Sequence, residues 1–133
     1  MARGMVDLEW LLDYELRSAV RYRRFVSVIL VAYGDGNGRR NPRGLIGDNL
    51  LRASDEFFEL NGDCAIVMGE TDRIGALAAI ERLKRLCNGE SDLRFAVISF
   101  PLDGHIAREL LSTAHRRLDK ARALGSGAVV ATG

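Results

Sequence analysis

What the sequence lacks narrows its class before any motif is read. Its 133 residues hold only two cysteines, Cys64 and Cys87, in or beside apolar runs and without C-x-x-C spacing. A chain of this length buries enough surface to hold one core without a covalent staple, so both are expected to be reduced core residues. Charge of one sign is also missing: 19 basic residues stand against 18 acidic ones. That balance argues against general nucleic-acid binding as the main role. No apolar run reaches the ~20 residues of a membrane span, and no stretch reads as a signal peptide. A cytoplasmic protein is the expectation. Internal repeats and low-complexity linkers are absent too, which points to a single domain over residues 1–133.

What is present alternates between helical and strand patterns. In VDLEWLLDYELRSAVRYRR, Leu8, Leu11, Leu12, Leu16 and Val20 fall at helical spacing, with charges between them. FVSVILVAY follows, a continuous β-branched run apolar on both faces, as an interior strand requires. The next segment, GDGNGRRNPRG, holds neither helix nor strand, and LIGDNLLRA suits about two helical turns. EFFEL and CAIVM read as strands joined by a hairpin at Asn61-Gly62-Asp63. TDRIGALAAIERLKRLC is helical, capped by Thr71 or Asp72, with Ile74, Leu77, Ala78 and Leu83 expected on its inner side. LRFAVISF is a further strand closed by Pro101 and the Asp103-Gly104 turn, IARELLSTAHRRLDKARAL a helix stopped at Gly125, and GAVVAT a short terminal strand. The predicted order, α-β-α-β-β-α-β-α-β, gives an α/β (α+β) sandwich: a ferredoxin-like, mostly antiparallel sheet flanked by helices, with an N-terminal helix. His105 and His115 lack a partner pattern and are expected at the surface, while Trp10, Phe57 and Phe58 are expected in core or interface packing.

Three segments, in this order, resemble the GGDEF family of bacterial diguanylate cyclase domains, which have a nucleotidyl cyclase fold and join two GTP molecules into cyclic di-GMP. They are LLDYELRSAVRYRRFVSVILVAY, RASDEFFELNGDCAIVMGETDRIGALAAIERLKRL, and RFAVISFPLDG with LLSTAHRRLDKARALGSGAVV. Together they cover nearly the whole chain.

The chemistry that the resemblance implies is incomplete. Phosphoryl transfer of this kind rests on carboxylates that position Mg²⁺. The family's strand-end Asp falls on Ala32, whose methyl binds no metal, and the next Asp falls on Gly34. The signature hairpin becomes Asn61-Gly62-Asp63-Cys64-Ala65, so that either Cys64 or Asp63 stands at the acidic position. The segment between Ala32 and Arg52 is short for the family, and Gly47-Asp48 is all that matches its guanine-reading helix. Arg122 matches the phosphate-contacting Lys and keeps the charge, whereas Gly125-Ser126-Gly127 replaces the following Gly-Arg-Asn and loses it. The resemblance therefore implies a degenerate, catalytically inactive domain with no catalytic residue, no metal and no Mg²⁺ requirement. The rival reading lets Asp35 and Asp63 take over as metal ligands.

One motif is intact. The family binds its product at an Arg-x-x-Asp motif ahead of the signature, which matches Arg52-Ala53-Ser54-Asp55, and a further arginine from the next helix matches Arg82. Guanidinium groups bind phosphate oxygens and the Hoogsteen edge of guanine bidentately, and a carboxylate accepts from guanine N1 and N2. Two uses of Arg52, Asp55 and Arg82 remain open at this level: a cyclic di-GMP site, or an exposed salt bridge of little energetic weight beside a solvated helix face. In the first case the chain is a nucleotide-binding module for signal transduction. In the second it is a protein-interaction or homodimerisation module, docking through the helix around Trp10 and Tyr14. Residual cyclase activity is a third reading.

Overall fold

An apolar run with no polar face needs cover on both sides, and that requirement organises the molecule. The computed structural model describes residues 4–33, 52, 54–60, 62–86 and 92–133. Helix α1 (Met5–Tyr22) leads into β1 (Val26–Tyr33), followed by β2 (Glu56–Glu59), β3 (Cys64–Gly69), α2 (Arg73–Leu86), β4 (Leu93–Phe100), α3 (Ala107–Leu124) and β5 (Val129–Val130). The sheet has five strands in the order β2-β3-β1-β4-β5. β1 is central, antiparallel to β3 (Val26 opposite Gly69, Val31 opposite Cys64) and to β4 (Val26 opposite Phe100, Ala32 opposite Arg94). β2 pairs antiparallel with β3, and β5 alone is parallel, to β4. The segment LIGDNLLRA, expected to be helical, lies outside the described residues except for Arg52, as do Asp35, Asn61 and Cys87.

Alternation along β1 sends Val28, Leu30 and Ala32 to one face, where they pack with Leu8, Leu12, Leu110 and Leu118 of α1 and α3. Ile29 and Val31 meet Ile80 and Leu83 of α2 on the other. At roughly 1.5–3 kcal/mol for each fully buried aliphatic side chain, these two layers carry most of the stability. Ser27, the polar member of the strand, is satisfied: its Oγ donates to the Thr71 carbonyl at 2.7 Å and lies 2.8 Å from Ser99 Oγ.

The expected inner faces need correction in phase. On α1, Leu8, Leu12 and Leu16 are buried as expected, but Ala19 and not Val20 completes the stripe, and Val20 faces solvent. On α2 the buried residues are Ala76, Ala79, Ile80 and Leu83, with Leu77 partly covered. Ile74, expected inside, is 76% exposed, and Ala78 is exposed as well. Asp72, not Thr71, caps α2, its Oδ1 accepting from the Gly75 amide at 2.8 Å. Trp10 points to solvent, Phe58 is in the core and Phe57 is partly buried beside the α2 layer. His105 is exposed as expected, but His115 is half-buried, and its Nε2 has no hydrogen-bond partner among the described residues.

Arg117 of α3 is buried, a feature the sequence hid. Its Nη1 donates to the Val97 carbonyl at 2.8 Å and its Nη2 to Asp103 Oδ1 at 2.9 Å. Asp103 Oδ2 in turn accepts from the Ser99 amide at 2.8 Å. This pair fastens the turn after β4 to the last helix.

Candidate functional site

Arg52 stands just before β2, on the sheet edge that β3 and the start of α2 overlook. Its Nε (3.1 Å) and Nη2 (2.9 Å) donate to Asp55 Oδ1, and its amide donates to Asp55 Oδ2 at 2.9 Å. Nη2 also reaches Thr71 Oγ1 at 2.8 Å and the Gly69 carbonyl at 3.2 Å. The expectation of an exposed pair is corrected here: the Asp55 side chain is 1% exposed and that of Arg52 42%. Asp55 lines a small cavity with Ile29, Ile66 and Arg82.

The three expected residues are brought together. Arg52 and Arg82 line one cleft of about 540 Å³, together with Phe25, Thr71, Gly75 and Arg85. Gly75 has a steric reason to be glycine: a Cβ there would stand 3.0 Å from Thr71 Cγ2. The cleft is of mixed charge, because Glu70 and Asp72 also line it. Glu70 is drawn away by Arg24, at 3.0 Å. Arg52, Arg82 and Arg85 bring three guanidinium groups to the cleft, one of them held in place by a buried carboxylate, beside the carboxylate of Asp72. Such a set binds planar, doubly accepting groups and phosphate oxygens.

The signature hairpin lies at the other end of the sheet. Leu60 and Asp63 exchange amide-to-carbonyl hydrogen bonds (2.8 and 3.2 Å) around Asn61-Gly62, and Gly62 takes φ +88°, so the predicted tight turn joins two antiparallel strands. Asp63 is ion-paired. Arg122 Nη2 donates to its Oδ2 at 2.6 Å, while Arg122 Nη1 holds Asp119 at 3.0 Å. Burial alone would lower the Arg122 pKa, but the hydrogen bond and charge of Asp63, with those of Asp119, outweigh it and raise it. Cys64 is buried in β3; desolvation, then the charges of Asp63 and Glu59, push its thiol far up, away from a metal-binding thiolate. Ala65 is in the core and Ala32 is fully buried, opposite Arg94. Arg94 is itself buried and ion-paired with Asp92. At the described positions that match the family's metal site stand a methyl, a buried thiol, an aspartate paired with Arg122 and a neighbouring guanidinium. Among the described residues no group of three or more His, Cys, Asp or Glu is placed to hold a metal ion.

Arg94, Arg117 and Thr71 went unread in the sequence as parts of these arrangements. A lone charge inside the apolar run LRFAVISF was the available sign for Arg94. Arg117 sits in HRRLDK, a stretch that looks solvated, and nothing local marks it as buried.

No family model and no curated protein matches the sequence. Solved structures do. The GGDEF domain of YfiN (TpbB) from Pseudomonas aeruginosa aligns with a TM-score of 0.80 over 99% of this chain and 97% of that one, at 16% identity. The chain has the GGDEF fold. The active GGEEF domain of a diguanylate cyclase from Vibrio cholerae aligns with TM-score 0.76 at 14% identity, over 98% of this chain and 97% of that one. The diguanylate cyclase SiaD of P. aeruginosa, solved with its activator SiaC, aligns with TM-score 0.78 at 13% identity, over 97% of this chain but 58% of that one. Against these GGDEF-fold domains, Asn61-Gly62-Asp63-Cys64-Ala65 keeps the hairpin of the fold and departs from the GGDEF and GGEEF signatures in its carboxylates. No helix among the described residues is long and apolar enough to cross a membrane.

Proposed function

We propose that this chain is a non-catalytic GGDEF-fold signalling domain that binds cyclic di-GMP in the cleft between Arg52 and Arg82. The observation that carries the reading is that these two arginines, from separate elements, line one opening, with Arg52 already oriented by Asp55 and Thr71. Pre-orientation lowers the ordering cost of binding, and two guanidinium groups match the two phosphates and the guanine edges of the ligand. No metal or other cofactor enters the proposal, and the cytoplasm is the proposed compartment. The loss of catalysis rests on Ala32 and on the Asp63–Arg122 pair.

Titration calorimetry with cyclic di-GMP and with GTP tests the proposal. Cyclic di-GMP should release measurable heat at micromolar concentration, and Arg82→Ala should weaken binding by about 5–150-fold, the loss of one bidentate arginine at about 1–3 kcal/mol. No heat at high micromolar ligand, or undiminished binding by Arg82→Ala, removes the receptor reading. Incubation with GTP and Mg²⁺ should yield no cyclic di-GMP; product that disappears in Asp63→Ala would restore an enzyme.

One observation favours a second reading, that of a protein-interaction module. Trp10 and Tyr14 are stacked on each other in solvent, 5.9 Å between ring centroids. SiaD, with the same fold, was solved with a protein activator.

A further inference from the structure

Recognition of guanine takes a flat apolar surface for the ring and acceptors for its N1–H and N2–H₂ donors, and the cleft offers both besides its arginines. Its apolar lining is Phe25, Met68, Gly75, Ala78 and Ala79, of which Phe25 alone carries a ring. Phe25 stands just before β1, two positions ahead of Ser27, whose Oγ reaches the Thr71 carbonyl just before α2. Alternation thus directs both side chains to the α2 side of the sheet. Phe25 is 49% exposed and belongs to neither core layer. Gly75, Ala78 and Ala79 share one face of α2, and none carries more than a methyl, so that face leaves the cleft open to a flat group.

Three carboxylates lie at or near the opening, and their surroundings separate them. Asp55 is 1% exposed, takes three hydrogen bonds from Arg52 and lines the small cavity, not the cleft. Glu70 lines the cleft, but its Oε1 accepts from Arg24 at 3.0 Å. Asp72 also lines the cleft; its Oδ1 caps α2 through the Gly75 amide at 2.8 Å, and its Oδ2 takes no hydrogen bond from the described residues. We propose that Phe25 and Asp72 read the base of the ligand: guanine stacks on the Phe25 ring, and Asp72 accepts from N1–H and N2–H₂ through Oδ2 and the second lone pair of Oδ1. The base-reading role that the resemblance gives to Asp55 passes to Asp72, and Asp55 is left to orient Arg52. Adenine, with an acceptor at N1 and no 2-amino group, offers Asp72 no such pair of donors. The inference rests on the receptor reading and adds to it what selects guanine.

Calorimetric titration with cyclic di-GMP and cyclic di-AMP tests the assignment. The wild type should bind cyclic di-GMP about 5–150-fold more tightly than cyclic di-AMP, the discrimination of one bidentate pair. Asp72→Asn keeps an oxygen to cap α2 but turns a donor toward the base, so it should lose that preference at an unchanged melting temperature. Asp55→Asn loosens Arg52 and should weaken both ligands alike. Phe25→Ala should weaken both by about 5–150-fold, the loss of one stacked base. Phe25→Trp, in a Trp10→Phe background, should bind as the wild type does and lose fluorescence as cyclic di-GMP is added. No heat from cyclic di-GMP with the wild type removes the receptor reading and this inference with it. Wild-type binding without a guanine preference, a preference kept in Asp72→Asn, or undiminished binding by Phe25→Ala overturns the inference and leaves the receptor reading standing.

Discussion

The Asp55 side chain is 1% exposed, and it takes three hydrogen bonds from Arg52. The two arginines of the cleft should therefore behave differently. Arg52→Ala leaves Asp55 buried with its side-chain donors gone and should lower unfolding free energy by about 1–3 kcal/mol in urea titration. Arg82→Ala removes an exposed side chain and should stay within about 0.5 kcal/mol of wild type. Equal stability of the two variants would show that the Asp55 contacts carry no weight. The Asp103–Arg117 pair makes a stronger case. Burial pushes the Asp103 carboxyl up, but the hydrogen bonds from Arg117 and the Ser99 amide outweigh it and hold it below the usual carboxylate range. A group whose folded pKa is depressed adds stability above its unfolded value of about 3.9 and loses it as pH falls through the folded value. The stability difference between wild type and Asp103→Asn should be constant from pH 7 to 5 and shrink below about pH 4. Arg117→Ala, which leaves that carboxylate buried without its cation, should cost about 3–5 kcal/mol at neutral pH.

At the scale of elements, α2 carries a clean internal control. Ile74 and Ile80 have identical side chains, yet Ile80 is fully buried between α2 and the sheet and Ile74 is 76% exposed. Ile80→Ala should destabilise by about 2–5 kcal/mol, and Ile74→Ala by less than about 0.5, measured as shifts in denaturant midpoint. Reversed values would mean that the helix is rotated from its described phase. The error in reading this helix from sequence has the same origin: Ala76, Ala78 and Ala79 are too alike in hydrophobicity to fix which side of the cylinder is wet. Elements with sharper contrast were legible. β1 announced itself as a two-faced apolar run and β4 as a further strand, and Asn61-Gly62 between apolar segments fixed the hairpin, because that turn demands a residue at ease with φ +88°.

For the whole molecule, strand content and the interleaving of helices could be read, and so could the gathering of Arg52, Asp55 and Arg82 by the resemblance of their spacing. What could not be read was depth. Whether Asp55 is at the rim or under the strand, and whether Arg117 or its neighbour Arg116 turns inward, depends on packing between elements far apart in the chain. Periodicity within one element carries no such information. The order of the sheet has one more consequence, for synthesis. β1 comes early, but both its neighbours come late: β3 completes at Gly69 and β4 at Phe100. Until β4 has left the ribosome, VSVILVAY, uncharged and free of proline, has an open backbone edge of the kind that nucleates intermolecular sheets. Nascent chains stalled before Leu93 should partition with aggregates or chaperones, and chains stalled well beyond Phe100 should not.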